Sequence, residues 1–298
     1  MSELFPDFEE RWFETFGADI FARIGGSGPP LVLQHGYPQT HAMWHRIAPA
    51  LAERFTVIMP DLRGYGLSSC PPNDPDNFAY SKRAMGQDIV QLMKELGYES
   101  FAFAGHDRGA RVGYRLALDE PARVEKLAVL DIVPTHTMWQ NMNQHLAMNA
   151  YHWMFLAQPH PLPELLIEQR SVAYLDHTLA SWTAAKDLSA FDERALAEYR
   201  SFYSIPERIH ATCNDYRAGQ TYDLAADEAD FEAGHKIRCP VLALPGSSGF
   251  PSGVTITTES AWREWANSVE VVTLDCGHFV AEEAPEATLK ALLGFLED

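Results

Sequence analysis

Positive charge is scarce in this chain. Lys and Arg number 23 against 41 Asp and Glu, a formal net charge of -18 over 298 residues. That balance excludes nucleic acid and anionic membrane as expected partners. It does not exclude a small anionic ligand, because a local pair of arginines overrides the global field within a Debye length of about 8 Å. Cysteine is scarce too: four occur, at 70, 213, 239 and 276, with no C-x-x-C pair, so free thiols in a reducing compartment are expected. No run approaches the roughly 18 apolar residues of a membrane span. The opening segment, Met1 to Glu10, carries no basic n-region and no apolar h-region. A soluble, cytoplasmic protein is the expectation. H-E-x-x-H and G-x-G-x-x-G are both missing, so neither a metal nor a dinucleotide cofactor is implied. His41 and His45 share a helical spacing with no acidic residue between them, and they are expected to be exposed helical histidines.

What the chain does have is an alternation of short apolar runs and helical patterns. With 46% hydrophobic residues it is long enough to bury a large core. Residues 10–24 read as a hairpin around Gly17-Ala18-Asp19. Strands are predicted at 31–33, 56–59, 100–104, 126–130, 240–244 and 269–274. Helices are predicted over 41–54, 81–96, 108–119 and 285–297, where apolar residues recur with a 3.6 period. Near-continuous apolar strands between helices predict a mostly parallel sheet covered on both faces. The alternation stops after Pro134. From 136 to 236 the chain is helical in pattern and rich in Trp, Tyr and His. The expected organisation is a split α/β main domain, 1–135 and 237–298, with a helical cap, 136–236, between its sixth and seventh parallel-sheet segments. No internal repeat is visible.

The most informative residues are Gly105-His106-Asp107-Arg108-Gly109, at the end of one apolar run and the start of a helical one. Strand, sharp turn, helix is the setting of the G-x-S-x-G nucleophile elbow, here with Asp in the Ser position. A carboxylate nucleophile attacks a saturated carbon, expels a leaving group and forms an alkyl ester. Arg108, with Arg111 one helical turn on, points to an electrophile of negative charge. Guanidinium forks match carboxylate geometry and stay charged.

In this order of elements the acid and then the base follow the nucleophile. His278 in Gly277-His278-Phe279 stands just past the last predicted strand, at the sheet edge where open α/β sheets bind ligands. Two loops are placed to hold the acid. Pro245 to Gly253 contains no Asp or Glu, which leaves Asp131 after strand 126–130. The backbone N–H groups of Tyr37, in His35-Gly36-Tyr37-Pro38, and of Arg108 are placed to converge as an oxyanion site. The glycine-rich loop Asp61 to Ser68 is read as structural, its glycines supplying turns.

These segments resemble the fluoroacetate (haloacetate) dehalogenases of the α/β-hydrolase superfamily. The resemblance is densest in His35 to Thr40, Gly105 to Asp119, Tyr151 to Pro159, Asp215 to Gly219 and Gly277 to Phe279. It implies an α/β-hydrolase fold with an inserted helical cap and hydrolytic dehalogenation of a haloacetate through an aspartyl ester. It implies Asp107 as nucleophile, Asp131 orienting His278, which activates water, and Arg108 and Arg111 holding the substrate carboxylate. It further implies His152, Trp153 and Tyr216 as the halide pocket, Trp182 as an added lining residue, and a homodimer. Tyr37 departs from the family, where Phe is usual, and bears on pocket polarity. Epoxide hydrolases share the Asp-His-Asp chemistry and use cap tyrosines. They usually carry Trp after the nucleophile, so Arg108 favours the anionic substrate. A non-catalytic receptor on the same fold is the remaining alternative, and an intact nucleophile, base and acid speak against it.

Overall fold

The computed structural model describes residues 4–253 and 255–297, so the expected outer domain bounds at 1 and 298 lie outside the described residues. Eight strands form one sheet: β1 (Glu9–Thr15), β2 (Ala18–Gly25), β3 (Pro30–Gln34), β4 (Thr56–Pro60), β5 (Phe101–His106), β6 (Val124–Leu130), β7 (Val241–Leu244) and β8 (Val269–Val271). Their spatial order is β1-β2-β4-β3-β5-β6-β7-β8. β1 and β2 are an antiparallel hairpin, and β2 also meets β4 antiparallel. All other pairs are parallel. The central strands are mostly apolar because both faces are covered; Leu31, Val32 and Leu33 of β3 are all fully buried.

The helices are α1 (Ala48–Ala52), α2 (Lys82–Glu95), α3 (Arg108–Asp119), α4 (Thr135–Gln140), α5 (Gln144–Asn149), α6 (Tyr151–Leu156), α7 (Leu162–Glu168), α8 (Ser171–Trp182), α9 (Glu193–Tyr203), α10 (Pro206–Gln220), α11 (Tyr222–Ala233), α12 (Thr258–Trp265), α13 (Val280–Glu283) and α14 (Pro285–Glu297). Helices α4 to α11 fall between β6 and β7, where the sequence pattern places a cap. They follow the sixth strand of the sheet, but β1 and β2 make only antiparallel pairings, so the insertion interrupts the run of parallel pairs after its fourth strand. The chain steps from β3 outward to β4 and then back across to β5. That reversal opens a crevice at the carboxyl ends of β3 and β5, into which the loop after each strand delivers its side chains.

Several expected elements shift for local reasons. The predicted helix over 41–54 is two pieces, a 3-10 turn at His41–Trp44 and then α1. Pro49 has no N–H to donate and is tolerated only in a first turn, so the helix restarts there. The hairpin turns at Phe16-Gly17, with Gly17 at φ 98°, and Ala18 and Asp19 already belong to β2. The last strand ends at Val271, and only an isolated bridge joins Leu274 to Gly246. His41 is not exposed. It is buried, its N–H donates to Asp61 Oδ1 at 2.8 Å, and its ring Nδ1 lies 3.0 Å from the same oxygen. The acidic partner comes from the end of β4, twenty residues away, which spacing along a helix cannot reveal.

Candidate active site

The turn between β5 and α3 is forced by close packing. Asp107 has φ 47° and ψ -117°, a conformation costly for a residue with a side chain. A Cβ on Gly105 would meet Ala110 N at 2.6 Å, and one on Gly109 would meet His35 O at 2.3 Å. Only glycine on both sides lets β5, α3 and the loop after β3 cross this closely. The elbow presents the Asp107 carboxylate, 4% exposed, at the head of α3.

Asp107 Oδ1 accepts from Tyr37 N at 2.9 Å and, among the described residues, from no other donor. The Arg108 amide lies alongside, since a Cβ on Gly36 would meet it at 2.6 Å, but it is not bonded to this ground-state carboxylate. Oδ2 faces His278 Nε2 across 4.0 Å. That nitrogen has no hydrogen-bond partner among the described residues. The opposite nitrogen, Nδ1, is 2.7 Å from Asp131 Oδ2. Asp131 is itself held by the N–H groups of Gly246 (2.8 Å, on Oδ1) and Phe250 (3.1 Å, on Oδ2). The His278 amide donates to Trp182 O at 2.9 Å, so the cap fixes the imidazole from above. Asp107, Asp131 and His278, 171 residues apart in sequence, therefore form one line. Burial pushes the Asp107 pKa upward, but His278, His106, Arg108 and Arg111 overcome it, and the net shift is downward. For Asp131 burial wins over its His278 partner and the shift is upward.

The two arginines sit differently. The Arg108 guanidinium does not stand free in the crevice. Its Nη2 donates to Asp215 Oδ1 at 2.6 Å, its Nε lies 3.1 Å from both carboxylate oxygens, and Tyr216 covers one face with Cζ 4.3 Å from the ring centre. Burial lowers its pKa, and Asp215 and neighbours more than reverse this. Arg111 is as buried but has no carboxylate partner among the described residues. Its Nη1 donates to Val133 O and Thr135 Oγ1, its Nε has no partner, and Cζ lies 4.6 Å from the Trp153 ring centre. Burial pushes its pKa down. A small cavity joins Asp107, Arg111, Met138, Trp153 and Phe250. A larger one, about 520 Å³, lies where α4 and α11 meet α12, lined by His136, Glu228 and Glu264 among others, and no group of the Asp107 line faces it.

The cap supplies the roof. His152 and Trp153 on α6 and Tyr216 on α10 are buried. His152 Nδ1 and Tyr216 Oη have no hydrogen-bond partner among the described residues. Burial drives the His152 pKa down to about 3 and the Tyr216 pKa well up, so both are neutral. The rings of His152 and Tyr216 lie 5.5 Å apart, at 82°. Trp182 on α8 stands between the two histidines, 4.4 Å from His152 and 5.4 Å from His278, more central than a lining residue. Tyr37 packs edge-on to Tyr216 at 5.2 Å, and its hydroxyl is bonded to Tyr203 Oη at 2.7 Å. The hydroxyl that departs from the family pattern is thus tied to the cap.

Sequence reasoning did not single out Asp215, Lys82, Tyr203 or Phe250. Asp215 stands beside Tyr216 in a matched segment, but its partner is 107 residues away and nothing local marks it. Away from this crevice His160, Glu164 and His210 offer ligand atoms within 4.8 Å of one another. Arg217 places Nη1 2.8 Å and Nη2 3.1 Å from the Glu164 oxygens, a fixed cation where a metal would need the carboxylate. The donor set therefore fits an ion-paired cap carboxylate better than a metal.

A model of the alpha/beta hydrolase fold matches residues 29–285. The chain belongs to the α/β-hydrolase family. It is 41% identical over 295 residues to a fluoroacetate dehalogenase of Burkholderia sp, covering 99% of this chain and 96% of that protein. It is 35% identical over 272 residues to a soluble epoxide hydrolase of Corynebacterium sp. strain C12, covering 91% of each. A solved structure from Nostoc sp PCC 7120 superposes with a TM-score of 0.92 at 51% identity, over 97% of this α/β-hydrolase and 98% of that chain. No helix of the described residues is long and apolar enough to cross a membrane.

Proposed function

We propose that this α/β-hydrolase removes halide from haloacetates, fluoroacetate foremost, giving glycolate through an ester on Asp107. The observation that carries the reading is Arg111, a buried cation with no acidic partner on the cavity that Asp107 lines. A buried unpaired guanidinium costs several kcal/mol, and a bound carboxylate offsets that cost. A haloacetate seated on Arg111 turns its α-carbon to Asp107. Oδ2 attacks that carbon, the carbon–halogen bond breaks with its electron pair, and halide leaves. The displacement becomes an oriented intramolecular step. Fluoride concentrates its charge and needs donors as it forms. The Tyr216 hydroxyl, the His152 imidazole and the Trp153 indole supply them. His278 Nε2, without a partner and oriented by Asp131, then takes a proton from water, which attacks the ester carbonyl. The Tyr37 N–H bears on the oxygen that becomes the oxyanion. On collapse the departing glycolate oxygen takes the proton from His278, and the Asp107 carboxyl loses its own proton to solvent to return as the carboxylate.

The same line of groups opens an epoxide with Tyr216 as proton donor, and the Corynebacterium relative keeps that reading in view. Halide release from fluoro-, chloro- and bromoacetate, measured beside turnover of styrene oxide, tests the choice. Halide release well above a buffer blank is expected. Diol from styrene oxide with no fluoride from fluoroacetate overturns the proposal in favour of the epoxide.

A further inference from the structure

Asp215 lies on α10 of the cap, fully buried, and its carboxylate reaches out of the cap to α2, α3 and the loop after β4. Arg108 Nε lies 3.1 Å from each of its oxygens, and Nη2 donates to Oδ1 at 2.6 Å and to the Asp215 backbone oxygen at 2.8 Å. The guanidinium is held along its Nε–Nη2 edge, which fixes its plane. Asp215 is fixed in turn. Tyr65 Oη donates to Oδ2 at 2.7 Å, Lys82 Nζ pairs with Oδ1, and these partners with Arg108 pull the Asp215 pKa down against burial. Lys82 also lies 3.3 Å from a second buried acid, Asp223. Gly219, one helical turn past Asp215, makes room for the guanidinium. A Cβ there would meet Nη2 at 2.8 Å and Nη1 at 3.3 Å.

What this clamp leaves over is Arg108 Nη1, which makes no hydrogen bond among the described residues. Arg111, three residues on along α3, is its complement. There Nη1 is taken by Val133 O and Thr135 Oγ1, and Nη2 makes no hydrogen bond among the described residues. Neither of these two nitrogens is sealed by packing, as Arg111 Nε is. Each guanidinium thus keeps one terminal nitrogen uncommitted, and a carboxylate has two oxygens. We propose that Asp215 is a positioning residue: by clamping the Nε–Nη2 edge of Arg108 it presents Nη1, so that a substrate carboxylate is shared between Arg108 Nη1 and Arg111 Nη2. The proposal rests on the carboxylate substrate of the proposed function and adds the cap residue that orients half of its seat.

Two variants test it through binding constants, which do not depend on how much of a preparation is folded. Acetate is the probe. Its dissociation constant is measured by calorimetric titration, beside KM and kcat for chloroacetate. Gly219→Ala leaves every charge in place, suits a helix interior better than glycine, and sets its Cβ against the guanidinium. It should raise the acetate constant and the chloroacetate KM at least about fivefold, with a smaller fall in kcat, because a charged hydrogen bond to the carboxylate weakens in ground and transition states alike. Asp215→Asn, which loses the fork, should act in the same direction. Constants unchanged in either variant, with any loss confined to kcat, overturn the proposal and make the pair a structural latch. Tighter acetate binding in Asp215→Asn overturns it too, since Asp215 would then only damp the charge of Arg108. If Asp215→Asn does not fold, Gly219→Ala decides alone. Wild-type protein that binds acetate but releases no halide sinks the proposed reaction and leaves the acetate comparison as the test. Wild-type protein that binds no acetate rejects the shared seat.

Discussion

The main domain and the cap meet at one crevice but hold their acidic and aromatic groups there differently. On the sheet side the working groups are held: Asp131 accepts two backbone N–H bonds and faces the His278 Nδ1, and Asp107 accepts from Tyr37 N. On the cap side His152 Nδ1 and Tyr216 Oη are buried and, among the described residues, unpaired; their rings pack together and the Arg108 guanidinium lies over Tyr216. Held groups set geometry before a substrate arrives. Unpaired buried donors carry a desolvation cost of about 1–3 kcal/mol each until something accepts from them. In the proposed function that difference corresponds to reacting bonds handled by the main domain and a leaving group received by the cap.

The sharpest way to break that division is at the nucleophile. Asp107→Asn should cut haloacetate turnover by at least about 10⁴-fold, and wild-type enzyme run for one turnover in labelled water should carry the label itself. Label found only in the first product would remove Asp107 from the role and with it the main-domain half of the comparison.

His278 comes next. It serves hydrolysis of the ester rather than its formation, so His278→Ala should slow turnover about 10²–10⁴-fold while an ester accumulates. Intact mass spectrometry after chloroacetate should show the added carboxymethyl group. Unmodified protein after long incubation moves the base elsewhere.

The cap half is sharpened by comparing halides. Losing one donor in a dry site costs about 2.7–4 kcal/mol. Tyr216→Phe, Trp153→Phe and His152→Ala should therefore depress kcat/KM for fluoroacetate far more than for bromoacetate, whose larger leaving group gains less from donors. Arg111→Ala should depress both alike. Equal losses for the two halides in the cap variants would make these residues packing only.

The smallest effect tests how cap and main domain are joined. Glu282 on α13 is buried and bonded by Tyr199 of the cap at 3.2 Å and by Gln39. Burial, outweighing those donors, raises its pKa to about 8 from the ordinary 4.5. Between those values the folded chain keeps a proton that the unfolded chain has lost. Stability from this group therefore falls as pH climbs from about 4.5 to about 8. Glu282→Gln should flatten that slope, so the Tm difference between pH 5 and pH 8 shrinks. An undiminished difference would show that the carboxyl is ionised throughout.

Much was determined by the sequence alone. Apolar runs alternating with helical periods specify the parallel sheet, because a strand buried on both faces must be apolar throughout. The interruption after Pro134 specifies where the cap enters. The G-x-D-x-G spacing specifies the elbow, because only glycine fits where β5, α3 and the loop after β3 cross. Asp131 was legible because it follows β6 directly, and His278 because it follows the last apolar run, although β8 itself ends at Val271. His41 was misread, Asp215 was given no role and Trp182 was read only as a lining residue, for the opposite reason. Their partners come from other elements, and helix spacing says nothing about which buried charge will meet which. Only the tertiary structure decided that two neighbouring arginines of one helix differ, Arg108 paired along its Nε–Nη2 edge with a cap carboxylate and Arg111 without a carboxylate partner among the described residues. The docking of α10 onto α3, through contacts about a hundred residues apart, settles that choice.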